Sequence, residues 1–323
     1  MKKCSVGGQA VMEGVMMKAP GGIAMAVRDA KGRIILDYKE YQTKAQKGTF
    51  LGLPIVRGVV AFVESLTIGM NTLTRSAELI GDPIDEEPTK FEKWLSEKLG
   101  KSVEKVVMGL AVILAVALSV GLFFLLPMVI GGLFDRWITS NLGINLLEGV
   151  IRMGIFFLYM YLISRMKDMR RLFSYHGAEH KTIRCYEAKL PLTVENVRRQ
   201  TRLHPRCGTS FLLVVMVLSI LIFSIASSAL LALAPGLEAL RGSFLFRLVM
   251  IVYKLLLLPL VVSVAYEINR WVGRYDNLLT RIVTAPGMWF QNFTTNEPDD
   301  SMIEVGIAAL EAVLPEKEGA DQW

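Results

Sequence analysis

Four apolar runs, each long enough to cross a lipid bilayer, constrain this chain more than any other feature. They extend from Met108 to Phe134, Leu147 to Ser164, Phe211 to Ala234 and Phe244 to Tyr266. A hydrocarbon core about 30 Å thick is spanned by ~20 apolar residues in a helix. Composition agrees, with 52% of the 323 residues hydrophobic and a mean hydropathy of +0.42. The expected fold is a mainly α integral membrane protein with four transmembrane helices. A small β-containing cytoplasmic section precedes them and an amphipathic helix follows. The corresponding layout is residues 1–102 as the N-terminal section with an interfacial helix, 103–266 as the membrane domain, and 267–323 as a cytoplasmic tail.

Orientation follows from the cations in the connections. The loop 165–209 carries Arg165, Lys167, Arg170, Arg171, Lys181, Arg184, Lys189, Arg198, Arg199, Arg202 and Arg206. The other two connections hold one arginine each, Arg136 and Arg241. The basic loop is therefore expected in the cytoplasm together with both termini. The first strongly apolar run begins only after residue 105, so no signal peptide is expected. Cys4, Cys185 and Cys207 are odd in number and would all face the reducing side, which favours metal ligation or free thiols over disulfides. The lipid bilayer is the one obligatory partner, and no DNA partner is expected.

All 3 histidines of the chain fall in that basic loop. Two of them lie in His176-Gly177-Ala178-Glu179-His180, an H-x-x-E-H pattern. Residues i and i+4 of a helix share a face, so two imidazoles can converge on one cation. Glu179, at i+3, sits on the edge of that face, where a carboxylate can take a proton from water. His204 and Cys207, in a Pro-Arg-Cys-Gly turn, supply two further ligand types. The expected metal set is His176, His180, His204 and Cys207, with Zn2+ as the best-matched ion and Glu179 as the catalytic residue. Four protein ligands close the shell and make the metal structural. Three ligands and a water leave something to activate.

Along the rest of the chain, Ile23–Val27 and Arg33–Tyr38 alternate around Asp29-Ala30-Lys31-Gly32 and read as a β-hairpin. The preceding glycine- and methionine-rich segment reads as packing and tight turns. Pro54–Leu79 has helical periodicity but contains Arg57 and Glu64, so a buried or interface-lying helix is expected rather than a fifth span. A linker over 81–89 and a surface-lying helix over 90–101 should follow. Pro127 and Gly131-Gly132 predict a kink or early end in the first span. The second span should continue as one helix into the motif. Thr193 caps a short helix. Glu267 is a reserve carboxylate ligand or a partner for Arg270. Trp271, Trp289 and Phe290 read as interfacial aromatics. Ser301 with Glu304 has capping-box spacing, opening a helix whose apolar face needs a surface to dock on, such as the N-terminal section.

Three blocks together resemble a known family. They are Gly8-Gln9-Ala10-Val11-Met12-Glu13-Gly14-Val15-Met16-Met17, Tyr175-His176-Gly177-Ala178-Glu179-His180-Lys181 and His204-Pro205-Arg206-Cys207-Gly208-Thr209-Ser210, with Thr294-Thr295-Asn296-Glu297-Pro298 in the tail. The chain is similar in these to the YqhQ family of bacterial membrane proteins. The resemblance implies a multi-pass protein of the bacterial inner membrane and a predicted metal dependence. It supports His176, Glu179, His180, His204 and Cys207 as a unit, without a substrate or reaction.

Two functions stand side by side at this point. The first is a membrane-embedded metal-dependent hydrolase or peptidase, with His176, His180 and His204 holding zinc, Glu179 as general base, and Arg171, Lys181, Arg184 and Arg206 drawing in an acidic group. The second is a non-enzymatic assembly factor or adaptor with a structural metal. Its basic face would grip another membrane protein, anionic lipid, or a ribosome near the translocation channel.

Overall fold

The computed structural model describes residues 4–46, 48–81, 103–134, 136–138, 140–275 and 277–314. The linker and surface helix expected over 82–101 lie outside the described residues. The chain is mainly helical, with a small N-terminal antiparallel sheet in the order β1-β2-β3-β4. The strands are β1 (Gly7–Val11), β2 (Gly14–Ala19), β3 (Gly21–Arg28) and β4 (Ile34–Tyr41). The β3–β4 hairpin is the expected one. The β1–β2 hairpin, in register Val11↔Gly14 and Gly8↔Met17, stands where turns were expected. Its sequence does not alternate because β2 is buried on both faces, and periodicity vanishes when neither face meets water.

Helix α1 spans Val56–Ile80. Next come α2 (Val103–Val120), a π-turn over Gly121–Leu125, and α3 (Leu126–Gly132). The remaining helices are α4 (Asn141–Ser164), α5 (Lys167–Glu187), α6 (Val194–Arg198), α7 (Gly208–Leu233), α8 (Phe244–Arg274), α9 (Leu278–Thr294) and α10 (Asp300–Val313). Four stretches are long and apolar enough to cross a membrane: Gly109–Gly132, Asn141–Ser164, Gly208–Leu233 and Phe244–Arg274. They coincide with the four runs of the sequence. Leu118, Ile225 and Leu256 on them are each at least two-thirds exposed, which suits contact with acyl chains. The expected irregularity near Pro127 takes the form of the π-turn just before it.

The chain forms two compact units. One comprises residues 1–82, 159–218 and 258–323, the other residues 83–158 and 219–257. In the first, the sheet is covered on both faces. Val15, Met17, Ala24 and Ala26 pack on Tyr175, Ala178 and Ile183 of α5 and on Met302, Val305 and Leu310 of α10. Val11, Met16, Ile23, Met25 and Val27 turn the other way, onto Ile68, Leu73 and Leu79 of α1. The amphipathic face of α10 thus finds the N-terminal sheet. Its cap differs from expectation: Asp299, not Ser301, accepts the Met302 N–H at 3.0 Å, and the Ser301 hydroxyl donates to Asp299 at 2.6 Å. A carboxylate is the stronger acceptor, and it sits in the extended position before the helix.

Arg57 and Glu64, the charges that set α1 apart from the four apolar stretches, are both paired. Arg57 donates to Glu267 at 2.6 Å, and Glu64 accepts from the Thr43 hydroxyl and the Lys44 amide at 2.7 Å each. Glu267 therefore serves Arg57 and lies outside the metal-ligand group. Helix continuity into the motif is broken: α4 ends at Ser164, and Met166 is extended at φ −68°, ψ 138° before α5 begins. Phe290 is buried at 1% exposure rather than interfacial, whereas Trp289 is 55% exposed.

The second unit buries ionisable side chains among apolar helices. Lys254 donates to Glu148 at 2.5 Å, and Arg152 donates to the Phe123 carbonyl at 2.7 Å. Phe123 lies in the π-turn, whose altered bonding gives that carbonyl to the guanidinium.

Candidate metal centre

Helix α5 carries the motif where it is packed between the sheet and α10, so Tyr175 through Ile183 are all buried. Gly177 is required by packing. A Cβ there would collide with the Asn296 carbonyl oxygen, because the 294–298 segment crosses α5 at this point. The Asn296 N–H donates to the Phe173 carbonyl at 2.9 Å and fixes that crossing.

Two imidazoles are oriented by backbone carbonyls. His176 Nδ1 lies 2.8 Å from the Thr294 carbonyl oxygen, and His180 Nδ1 lies 2.6 Å from that of Arg202. A carbonyl oxygen only accepts, so both Nδ1 atoms carry the proton and both Nε2 atoms are left for the interior. His176 Nε2 faces Cys207 Sγ at 3.1 Å. His180 Nε2 is buried without a hydrogen-bond partner among the described residues. The ligand atoms of His176, His180 and Cys207 all lie within 4.8 Å of one another. Bonds of about 2.0–2.3 Å to a shared cation set ligand atoms ~3–4 Å apart, so these donors are spaced on the scale of a metal site. The fit is also chemical. Two imidazoles with Nδ1–H anchored and one thiol are a borderline-soft set suited to Zn2+, and the unpartnered His180 Nε2 is the donor such an ion would engage.

The electrostatics reinforce the grouping. Burial alone would raise the Cys207 thiol, but His176 and His180 beside it hold it well below its ordinary range. Burial alone would lower His176, yet Cys207 and Glu179 push it up to about 9. Glu179 is raised, first by its burial and against the pull of both histidines. One of its oxygens, Oε2, lies 3.9 Å from His176 Nε2 and has no hydrogen-bond partner among the described residues. The Gly8 N–H of β1 donates to the same carboxylate.

The remaining expected ligand, His204, stands beside this group, its ring centroid 5.6 Å from that of His180, but is outside the three whose ligand atoms lie within 4.8 Å of one another. Its Nε2 lies 3.3 Å from Glu187 Oε2, and its backbone N–H donates to Gln291 at 2.7 Å. Burial and Arg184 push its imidazole down to about 4, so a neutral ring donates to Glu187. Glu187 also accepts the Cys4 N–H at 3.2 Å and pairs with Arg206. Sequence reasoning missed Glu187 and Gln291, and gave Cys4 and Gly8 no place beside the motif. Only Glu187 had a signal, since it lies seven residues beyond His180 on the same helical face.

Much of the loop's positive charge is consumed inside the fold. Arg171 pairs with Glu13, Lys181 with Glu297, Arg198 with Asp300, and Arg184 donates to the Leu203 carbonyl at 2.6 Å.

Fold and site together define a mainly helical membrane protein with a buried His/His/Cys cluster beside a carboxylate. Residues 53–316 match a family described as "Protein of unknown function (DUF1385)", and the chain belongs to that family. It is also similar to "Uncharacterized protein YqhQ" of Bacillus subtilis (strain 168), with 29% identity over 310 residues covering 95% of this chain and 92% of that protein. No solved structure matches.

Proposed function

We propose that this protein is a membrane-embedded, metal-dependent hydrolase acting on amide bonds at the cytoplasmic face of a bacterial inner membrane. One observation carries the reading: three donors converge while His204, which would close the shell, is tied to Glu187. A three-ligand site keeps a position open, which is the pattern of catalytic rather than structural zinc. When bound, Zn2+ would polarise a carbonyl oxygen and make water more acidic. The chain's own groups supply the rest. The Thr294 and Arg202 carbonyls hold the imidazoles in the ligating tautomer. Glu179, buried and with one oxygen uncommitted, takes a proton from water and returns it to the leaving nitrogen. The cytoplasmic placement rests on the cation-rich loop 165–209.

The adaptor reading, with a structural metal and a basic face gripping lipid, protein or ribosome, draws less support, because many of those cations already have partners within the fold. The test is Glu179→Gln in purified protein. Metal content should stay stoichiometric while hydrolysis of an unstructured polypeptide falls by about 10²–10⁴-fold. Unchanged turnover in the variant, or wild-type protein without a stoichiometric cation, overturns the proposal.

A further inference from the structure

His176 and Cys207 of the metal cluster line a cleft of about 960 Å³ whose walls also include Gly7, Gly8 and Ala10 of β1 and Phe173 from the helical side. That volume is at the upper end for a ligand pocket, about 300–1,000 Å³. The wall it presents is unusual, because β1 is the outermost strand and pairs with β2 alone. In an antiparallel ladder, alternate residues direct their N–H and C=O groups inward and outward. The Gly8 N–H reaches Glu179 rather than β2, which fixes the parity. Ala10 therefore presents its N–H and C=O to the cleft and Gly8 its C=O, the Gly8 N–H being held by Glu179.

The glycines make this possible. A Cβ at Gly8 would meet Glu179 Cδ and Cγ at 2.9 Å, whereas one at Gly7 would find nothing within 4 Å. The strand is thus held directly against the carboxylate, with open space in front of it. A row of outward N–H and C=O groups at a two-residue period is complementary to another extended main chain and to little else.

We propose that the outer edge of β1 is the docking rail for an extended polypeptide, which adds as a further strand and is carried past Glu179 to the His176–His180–Cys207 cluster. This rests on the hydrolase reading and names its substrate class. In the step so positioned, the water oxygen bonds to the amide carbon, the C–N bond breaks, and the water proton passes through Glu179 to the departing nitrogen. Apolar side chains of the added strand would lie against Met16, Ile68, Leu172 and Phe173 along the cleft.

The test uses the full chain in lipid nanodiscs with an unstructured peptide bearing a photo-crosslinker, in the Glu179→Gln variant so that the peptide survives. A set of peptides N-methylated at one position each is then compared for binding. Strand addition predicts that methylation at every second residue weakens binding about tenfold, the cost of one hydrogen bond, with little effect in between. Crosslinks should map to residues 7–10, and the Ala10 amide should gain protection from hydrogen exchange. A uniform response to methylation, crosslinks elsewhere, or a cleft filled by lipid or by a second copy of the chain overturns the proposal. Zinc stoichiometry is measured in parallel. Absent metal with an intact alternating pattern removes the hydrolase reading and leaves the docking edge standing, so the two failures are distinguishable.

Discussion

At the residue scale, a pair of hydrogen bonds decides what His176 and His180 can do. Each ring donates its Nδ1–H to a backbone carbonyl, so each directs its Nε2 toward Cys207 and the neighbouring space. His180→Ala and Cys207→Ala should therefore each abolish stoichiometric metal in elemental analysis of purified protein. His204→Ala should keep the metal, because its ring serves Glu187 instead. Its effect should appear as lost thermal stability, about 1–3 kcal/mol from leaving Glu187 under-satisfied. Loss of metal in His204→Ala would place that ring in the shell after all. The motif His176–His180 with Glu179 was legible in the sequence because i, i+3 and i+4 spacing is local. The orientation of His204 was not, since it depends on Gln291, 87 positions further along the chain, together with Glu187 at the end of α5.

At the element scale, helix α5 is held by what crosses it. The Gly177 position faces the Asn296 carbonyl, so Gly177→Ala forces α5 and the 294–298 segment apart. Overpacking of this kind costs about 1–3 kcal/mol, and the Thr294 carbonyl that orients His176 would move with it. The variant should show both a lower midpoint of thermal unfolding and weaker metal retention. Helix α10 makes a separate prediction. Burial would raise the Asp299 carboxyl, but hydrogen bonds from Ser301 and Met302 hold it below its ordinary value of 3.8. A depressed folded-state value means the anion is favoured in the fold. Its stabilisation is complete above 3.8 and is lost as pH falls through the lower, folded value. Hydrogen-exchange protection of α10 should drop on acidification below that point. Asp299→Ala should lose about 1 kcal/mol at neutral pH and show a weaker acid transition.

At the scale of the whole molecule, charge is distributed with two different consequences. In the unit formed by residues 83–158 and 219–257, Glu148 and Lys254 are buried together at 6% and 2% exposure. Lys254→Met alone strands a buried carboxylate and should cost about 3–5 kcal/mol, while Glu148→Gln combined with Lys254→Met should recover much of it. Denaturation of the single and double variants measures the difference, and equal losses would mean that the pair contributes nothing through its charge. The asymmetry of cations between connections makes the other prediction. A cysteine introduced at Leu190 should react with an impermeant thiol reagent only from the cytoplasmic side, and one at Gly236 only from the opposite side. The reverse pattern would invert the proposed orientation and move the metal centre out of the cytoplasm.

The sequence by itself determined the four spans, because the cost of placing polar residues in hydrocarbon is set by composition over ~20 residues and needs no partner. It also determined the β3–β4 hairpin, the amphipathic face of α10 and the spacing within H-x-x-E-H, each of them local and periodic. Only the tertiary structure decided that, of the two ligand candidates beyond the motif, Cys207 groups with the histidine pair while His204 meets Glu187, that β1 lies against Glu179, and that Glu267 answers Arg57. Each of these joins residues well separated along the chain. Where a side chain points is fixed by what packs and hydrogen-bonds against it, and those neighbours come from distant stretches that only the folded chain brings together.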